Sequence, residues 1–404
     1  MQQSSYGYLK RINIFLLYLF SAFSVIIPND YHNIKKILFV VLLVVNSIAI
    51  YYESKHKSVI IIFGIIFPVS TILFSLVVSN ASAFEVISRG YVGIYLLLVL
   101  VVGRFNIDFY KIALFAVKVV CLIICLSVLL DLFSVLSIYR NPILMFLNDN
   151  GSAKIGKGIA YISMGYMVYL QTSALLLLLV YDSYVKRNIM WLALSCISIF
   201  FTGSRAMWIG LVLEIVLLFV FDNNQKSKLF KYLLGFLFIV FTLMSLSSIY
   251  QLVTSSFELK SSGDVIRSGH LVSVVQEIVK SPFTFLFGSG YANYFFSAGV
   301  FREINAVELS YWDLFRQVGL LGFVFFVCFL LYPISRLKSN KGLLITYIVY
   351  LVIAYSNPLL YTSTPYVLYI ILYQYILYES QSLQKELVES EKDNHRIRFV
   401  LGKK

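Results

Sequence analysis

The sequence predicts an all-α polytopic membrane protein with about twelve transmembrane helices and one large extracytoplasmic loop. Three observations carry this prediction. The 404 residues are 59% hydrophobic and only 13% charged, where soluble domains carry about 25% charged residues, and the mean hydropathy is +0.83. The apolar residues fall into successive runs of about 16–25, each long enough to cross a hydrocarbon core. A single long wet segment, 251–310, interrupts the pattern.

In order, the runs place spans at 12–28, 36–53, 58–79, 88–104, 111–137, 159–181, 188–203, 205–222, 229–250, 311–333, 342–357 and 363–379. Lys10 and Arg11 before the first run give it the charge asymmetry of a secretory signal, but Ser21-Ala22-Phe23-Ser24 is a weak cleavage motif, so the run reads as an uncleaved span. The seventh and eighth spans meet in the tight reversal Thr202-Gly203-Ser204-Arg205. The whole chain, 1–404, reads as one integral membrane domain without internal repeats, and 380–404 as a charged tail.

Net charge is +13. In a soluble protein that would suggest nucleic acid; in a membrane protein it reflects Lys and Arg gathered in cytoplasmic connections. Lys10, Arg11, Lys55, Lys57, Arg104, Lys111, Lys186, Arg187, Lys226, Lys228, Lys231, Arg336, Lys338 and Lys341 fall on one side if both termini are cytoplasmic. That topology puts 251–310 between the ninth and tenth spans outside the cytoplasm, with a second outer loop at Ser137–Gly158. Cys121, Cys125, Cys196 and Cys328 lie in apolar runs without a CxxC pair, and the histidines form no HExxH, so neither metal nor cofactor is expected.

Several ionisable residues stand where chemistry can occur. Arg205 opens a span, where its guanidinium can hold a phosphate bidentately or snorkel to the interface. Glu214, about nine residues deeper, needs a cavity or a partner, for which Lys118 is a candidate. Gly263–Lys280 reads as a surface helix carrying Arg267, His270 and Glu277, with Arg267 and His270 on one face. His270 can carry a proton or simply be solvated. Ser281-Pro282 ends that helix, and Gly288-Ser289-Gly290-Tyr291 reads as a flexible turn before Arg302 and Glu303. At the entry to the tenth span, Glu308, Trp312 and Arg316 recur at i, i+4 and i+8. They offer an acid, an aromatic plate for a sugar ring and a cation for an anionic head group; the alternative is a helix start with interfacial aromatics.

The reversal at Thr202–Arg205, the loop from Arg267 through Ser281-Pro282 to Leu286-Phe287-Gly288-Ser289-Gly290, and the entry Val307-Glu308-Leu309-Ser310-Tyr311-Trp312-Asp313-Leu314-Phe315 before Gly319-Leu320-Leu321-Gly322 together resemble the O-antigen and capsule polymerase (Wzy-like) family, which is related to the O-antigen ligases. The resemblance rests on order and spacing over most of the chain. It implies a GT-C-like fold in a bacterial inner membrane and an undecaprenyl-pyrophosphate-linked oligosaccharide as substrate. It also implies membrane lipid and a chain-length regulator protein as partners, with no nucleic acid and no cofactor. Arg205, Arg267, Arg316 and Arg302 would hold the pyrophosphate, Trp312 the sugar, and Glu308 or His270 would take the acceptor proton. Ligases often carry a histidine near the position of Glu308, which favours the polymerase. A ligase, or a flippase or other secondary transporter, are the competing readings. The spans hold few ionisable residues beyond Lys118, Asp131 and Glu214, too few for a polar translocation path.

Overall fold

The computed structural model describes residues 2–29, 31–54, 57–157, 166–221, 260–337, 340–357 and 359–379. It is mostly helical. Helix α1 (Gln2–Val25) leads into α2 (Ile34–Val45) and α3 (Ser47–Ser54), which are bent by 68° at Asn46. The bend has a polar cause: Asn46 and Asn13 of α1 exchange two buried amide hydrogen bonds of 2.8 Å. Helix α4 (Ser58–Val78) contains one π turn over Ile62–Ile66. Pro68 follows that turn, where its ring removes a backbone donor and crowds the carbonyl one turn back. Helix α5 (Ala83–Arg104) tightens to 3₁₀ over Tyr91–Leu97, and α6 (Phe109–Leu132) follows.

After the short helix α7 (Pro142–Asp149), strands β1 (Ala153–Lys157) and β2 (Tyr166–Leu170) pair antiparallel, with Lys154 opposite Tyr169. Helices α8 (Leu176–Lys186), α9 (Ile189–Phe201) and α10 (Arg205–Phe221) come next. Then come α11 (Lys260–Val279), α12 (Pro282–Phe287) and the two-stranded ribbon of β3 (Phe295–Ser297) and β4 (Arg302–Ile304). The chain ends its described course with α13 (Ser310–Arg336), α14 (Lys341–Ile353) and a helix α15 over 363–379.

Among the described residues, five helices (over Tyr6–Val25, Ser58–Val78, Ala83–Arg104, Phe109–Leu132 and Ser310–Arg336) are long and apolar enough to cross a membrane, or six if the bent α2–α3 pair is one span; α9 and α14 are shorter apolar helices. The expected span at 229–250 lies outside the described residues. The expected span at 159–181 is corrected: its described part begins as a strand and becomes α-helical only at Leu176. The run Tyr166-Met-Val-Tyr-Leu170 alternates between buried and half-buried faces, and a short apolar run of that kind reads equally well as helix or strand. The hairpin is held to the end of α6 by Asp131, whose carboxylate accepts from Lys157 Nζ at 2.5 Å, from the Tyr166 hydroxyl and from the Ile138 amide at 3.1 Å.

The described part of the 251–310 segment folds onto the helices. Val274 and Ile278 of α11 bury themselves with Phe295, Val307 and Leu309. The residues Gly288–Tyr291, expected as a flexible turn, are buried. They dock on a break in α13 at Gly319, where φ is 67° and ψ −177°. The break frees the carbonyls of Arg316 and Gln317 from their helical donors, and the Ser289 and Gly290 amides replace them at 2.9 and 3.0 Å. Gly288 and Gly319 both have positive φ, and a Cβ on Gly319 would stand 2.4 Å from the Gly288 nitrogen. Only glycine fits at that crossing.

Gly319→Ala is therefore expected to lower stability by at least about 2 kcal/mol, measured as a lower thermal unfolding midpoint of the purified, detergent-solubilised chain.

Candidate functional site

Val307, Glu308 and Leu309 lead into α13, with Val307 and Leu309 buried and Glu308 exposed between them. This alternation turns the carboxylate outward while its neighbours anchor the backbone. Glu308 Oε2 lies 3.5 Å from Arg267 Nη2, and Glu308 Oε1 lies 3.6 Å from Lys154 Nζ. Three segments far apart in sequence, the β1–β2 hairpin, α11 and the start of α13, thus converge on one carboxylate. The Arg267, Lys154 and Glu308 side chains are 47%, 69% and 48% exposed. Each such pair contributes only about 0–1 kcal/mol, so an incoming anion can take over the cations at small expense.

His270, one turn along α11 from Arg267, shares a 2.6 Å hydrogen bond through Nδ1 with Ser297 Oγ of β3. Burial holds its imidazole below the usual range, with the Glu308 charge opposing, so the neutral ring dominates at pH 7. Tyr169 flanks the same carboxylate: burial, reinforced by the Glu308 charge, pushes its hydroxyl up to about 12. The helix predicted over 263–280 is therefore present, and it brings Arg267 and His270 to Glu308.

Arg316 is corrected. Expected to bind an anionic head group, it is 1% exposed, and all five of its N–H donors are used inside the protein. Nε and Nη2 donate to Asp313 Oδ1 at 3.1 and 2.8 Å, Nη1 to Ser289 Oγ at 3.3 Å and the Asn293 carbonyl at 3.1 Å, and Nη2 also to the Asn305 carbonyl at 3.0 Å. The Phe295 ring covers the guanidinium at 4.2 Å. Glu308, Trp312 and Arg316 do not form one accessible face, because Glu308 precedes the helix and Arg316 points into the packing. Trp312 is half-buried against the Val274 cluster.

Asp313 holds a second guanidinium: its Oδ2 accepts from Gln317 Nε2 at 2.8 Å and from Arg89 Nη2 of α5 at 3.4 Å. These groups line a small cleft together with Ser310, Tyr361 and Thr362.

Arg205 begins α10 as expected and is exposed, and Arg302 is exposed on β4. Among the described residues, no hydrogen bond or ion pair joins either one to Glu308, whose ion pairs are with Arg267 and Lys154. Glu214 is corrected as well: its Oε1 accepts from Thr346 Oγ1 at 2.5 Å, while Lys118 lies over the Trp191 ring at 4.8 Å. Sequence reasoning missed Lys154, Arg89 and Asp313 as site residues. Lys154 sat within the expected outer loop Ser137–Gly158, but only strand pairing brings it to Glu308. No protein-family model matches the sequence, and no curated protein matches it either.

Arg316→Met would leave Asp313 buried without its main partner, with an expected loss of about 3–5 kcal/mol. Arg316→Lys is expected to fail similarly, since three donors on an ammonium do not replace a five-donor fork. The exposed substitutions Arg267→Ala and Arg205→Ala are expected to stay within about 0.5 kcal/mol of the parent. Thermal unfolding midpoints of the purified variants separate the two groups.

Proposed function

We propose that this chain is a membrane glycosyltransferase that joins lipid-linked oligosaccharide repeat units into a polysaccharide. The observation that carries the reading is the Glu308 carboxylate, paired with Arg267 and Lys154 and neighboured by His270. A carboxylate beside two exchangeable cations suits a reaction whose leaving group is a diphosphate. The donor is an oligosaccharide on undecaprenyl pyrophosphate, and the acceptor is a second lipid-linked unit. An acceptor hydroxyl attacks the anomeric carbon of the donor, the bond from that carbon to the diphosphate oxygen breaks, and the lipid diphosphate departs with the electron pair.

Glu308 takes the hydroxyl proton. Arg267 and Lys154 shift from Glu308 to the diphosphate, stabilising the charge that develops there. The neutral imidazole of His270 is the second candidate for the proton. Arg205 and Arg302, exposed and without ties to this cluster among the described residues, would serve the lipid diphosphate at its periphery. The finer architecture that goes with this reading is about twelve spans of GT-C-like type in a bacterial inner membrane. Both termini would be cytoplasmic, the 251–310 segment outside, and a chain-length regulator a partner. The exchangeable cations around Glu308 favour this reading over a transporter, whose polar groups would line a path through the spans.

Glu308→Gln keeps the shape of the side chain and removes the base. It is expected to lower polymer formation by about 10²-fold or more, seen as loss of long chains and accumulation of single repeat units in cells producing normal amounts of the protein. Arg267→Ala and Lys154→Ala are each expected to lower it by about tenfold. Unchanged polymer length and amount in Glu308→Gln would refute the assignment.

A further inference from the structure

Between Lys280 and Arg302 the sequence carries no charged residue. Its first part is α12, in which no residue is buried and Phe283, Phe285, Leu286 and Phe287 are all exposed. Phe283 and Phe287 are 48% and 44% exposed. A helix that shows apolar side chains around most of its circumference is covered by something other than water. Its contacts identify the cover. Phe283 and Phe287 pack on Phe74 of α4, with ring centroids 6.0 and 6.3 Å apart. Phe285 packs on Phe315 of α13, which stacks in turn on Phe323. Both α4 and α13 are long and apolar enough to cross a membrane, and both expose apolar side chains beside these contacts: Leu73 and Val77 on α4, Leu321 and Val324 on α13. The exposed surface of α12 thus adjoins surface that two spans present to lipid.

The same two spans gauge its depth. Helix α13 has 27 residues, so it is about 40 Å long against a hydrocarbon core of about 30 Å. Gly288, at the end of α12, crosses it at Gly319, nine residues and about 13 Å from its start. Even with the whole excess of about 10 Å placed at the Ser310 end, that crossing lies inside the core. Helix α4 has 21 residues, about the length needed to cross the core. Phe74 lies one turn, about 6 Å, inside its Val78 end, and just past that end Asn80 is tied to Asn293 and Tyr294. Both helices therefore put α12 below the hydrocarbon boundary. Backbone at that depth has to find its partners within the protein, and here it does. Ser281 and Thr284 cap the start of α12 reciprocally at 3.0 and 3.1 Å. The Ser289 and Gly290 amides donate to α13, and the Tyr291 amide donates to Ser75 Oγ of α4 at 2.8 Å. Lys280 and Arg302, at the two ends, are exposed, as suits cations at head-group level.

We propose that α12 is a re-entrant element that dips into the near leaflet of the membrane, where the acyl chains of bilayer phospholipid cover Phe283, Phe285, Leu286 and Phe287. The wet segment 251–310 is then not wet throughout: its part between Lys280 and Arg302 returns to the membrane. Anchored there, the crossing of Gly288 and Gly319 holds the start of α13, and Glu308 just ahead of it, at the membrane surface. The inference is independent of the chemistry proposed at Glu308.

The test uses the full chain in phosphatidylcholine nanodiscs holding a single copy each. A phosphatidylcholine with a diazirine on its acyl chain is photoactivated in the bilayer, and trypsin then frees 281–302 as one peptide, because Lys280 and Arg302 are the cleavage points. Lipid adducts on 283–287, several-fold more abundant than on the α11 peptide 268–280, are the expected result. An unlabelled 281–302 peptide beside labelled α4 and α13 peptides overturns the proposal, and this measurement needs no variant that has to fold. Phe283→Trp gives a second readout, taken as the difference in emission from the parent, with Val265→Trp on α11 as the water-exposed reference. The added tryptophan at 283 is expected to be quenched by phospholipid brominated on its acyl chains and not by aqueous iodide. Quenching by iodide overturns the proposal, and so does quenching by neither agent, which would mean that protein rather than lipid covers the helix.

Discussion

Arg316 lies inside the protein, at the entry of a helix long and apolar enough to span a membrane, and a charge there persists only if every one of its donors is met. Meeting them recruits Asp313 from the same helix, Ser289 and the Asn293 carbonyl from the segment after α12, and the Asn305 carbonyl from beyond β4. The wet segment is thus drawn down onto α13 rather than standing away from it. The same contact explains the broken helix: the carbonyls freed at Gly319 are taken by the Ser289 and Gly290 amides. Charge satisfaction and backbone satisfaction therefore depend on one another, and both depend on two glycines passing at van der Waals contact.

Two classes of ion pair result, and they do different things. The Arg316–Asp313 pair is sealed, so breaking it strands a buried charge and costs several kcal/mol. The Arg267–Glu308 and Lys154–Glu308 pairs are wet, so they hold geometry weakly and exchange partners readily. A rigid pair positions the flexible ones: by fixing α13 against the preceding segment, Arg316 sets where Val307 and Leu309 are buried and hence where Glu308 emerges. Arg89 stands between these classes, paired with a buried carboxylate but open to the cleft.

The Asp131 network plays the corresponding part for the hairpin. It fixes Lys157 and Tyr166 at the end of α6, and strand pairing then carries Lys154 and Tyr169 to Glu308. An acidic residue near the end of a span, read in sequence as one of a few costly intramembrane groups, turns out to be an anchor for a surface element.

The helical character of the chain, with several helices long and apolar enough to cross a membrane, was legible from composition and run length alone, because hydrocarbon thickness sets a length that short-range sequence records directly. Helix α11 and the pairing of Arg267 with His270 on one face were legible for the same kind of reason, since helical periodicity is local. Glu308 also stood out, as an acid at the entry of a span. Its partners did not: Lys154 lies more than a hundred residues earlier, on a strand that apolar content could not distinguish from a helix. Arg316 misled in the opposite direction. Spacing put it on a face with Glu308 and Trp312, but whether an arginine meets a ligand or the protein's own carbonyls depends on which loop folds over it. Sequence thus determined the material of this protein, its apolar helices and the charges at their ends. Tertiary structure alone decided which of those charges are sealed and which remain open to solvent, because pairing and burial are relations between distant segments.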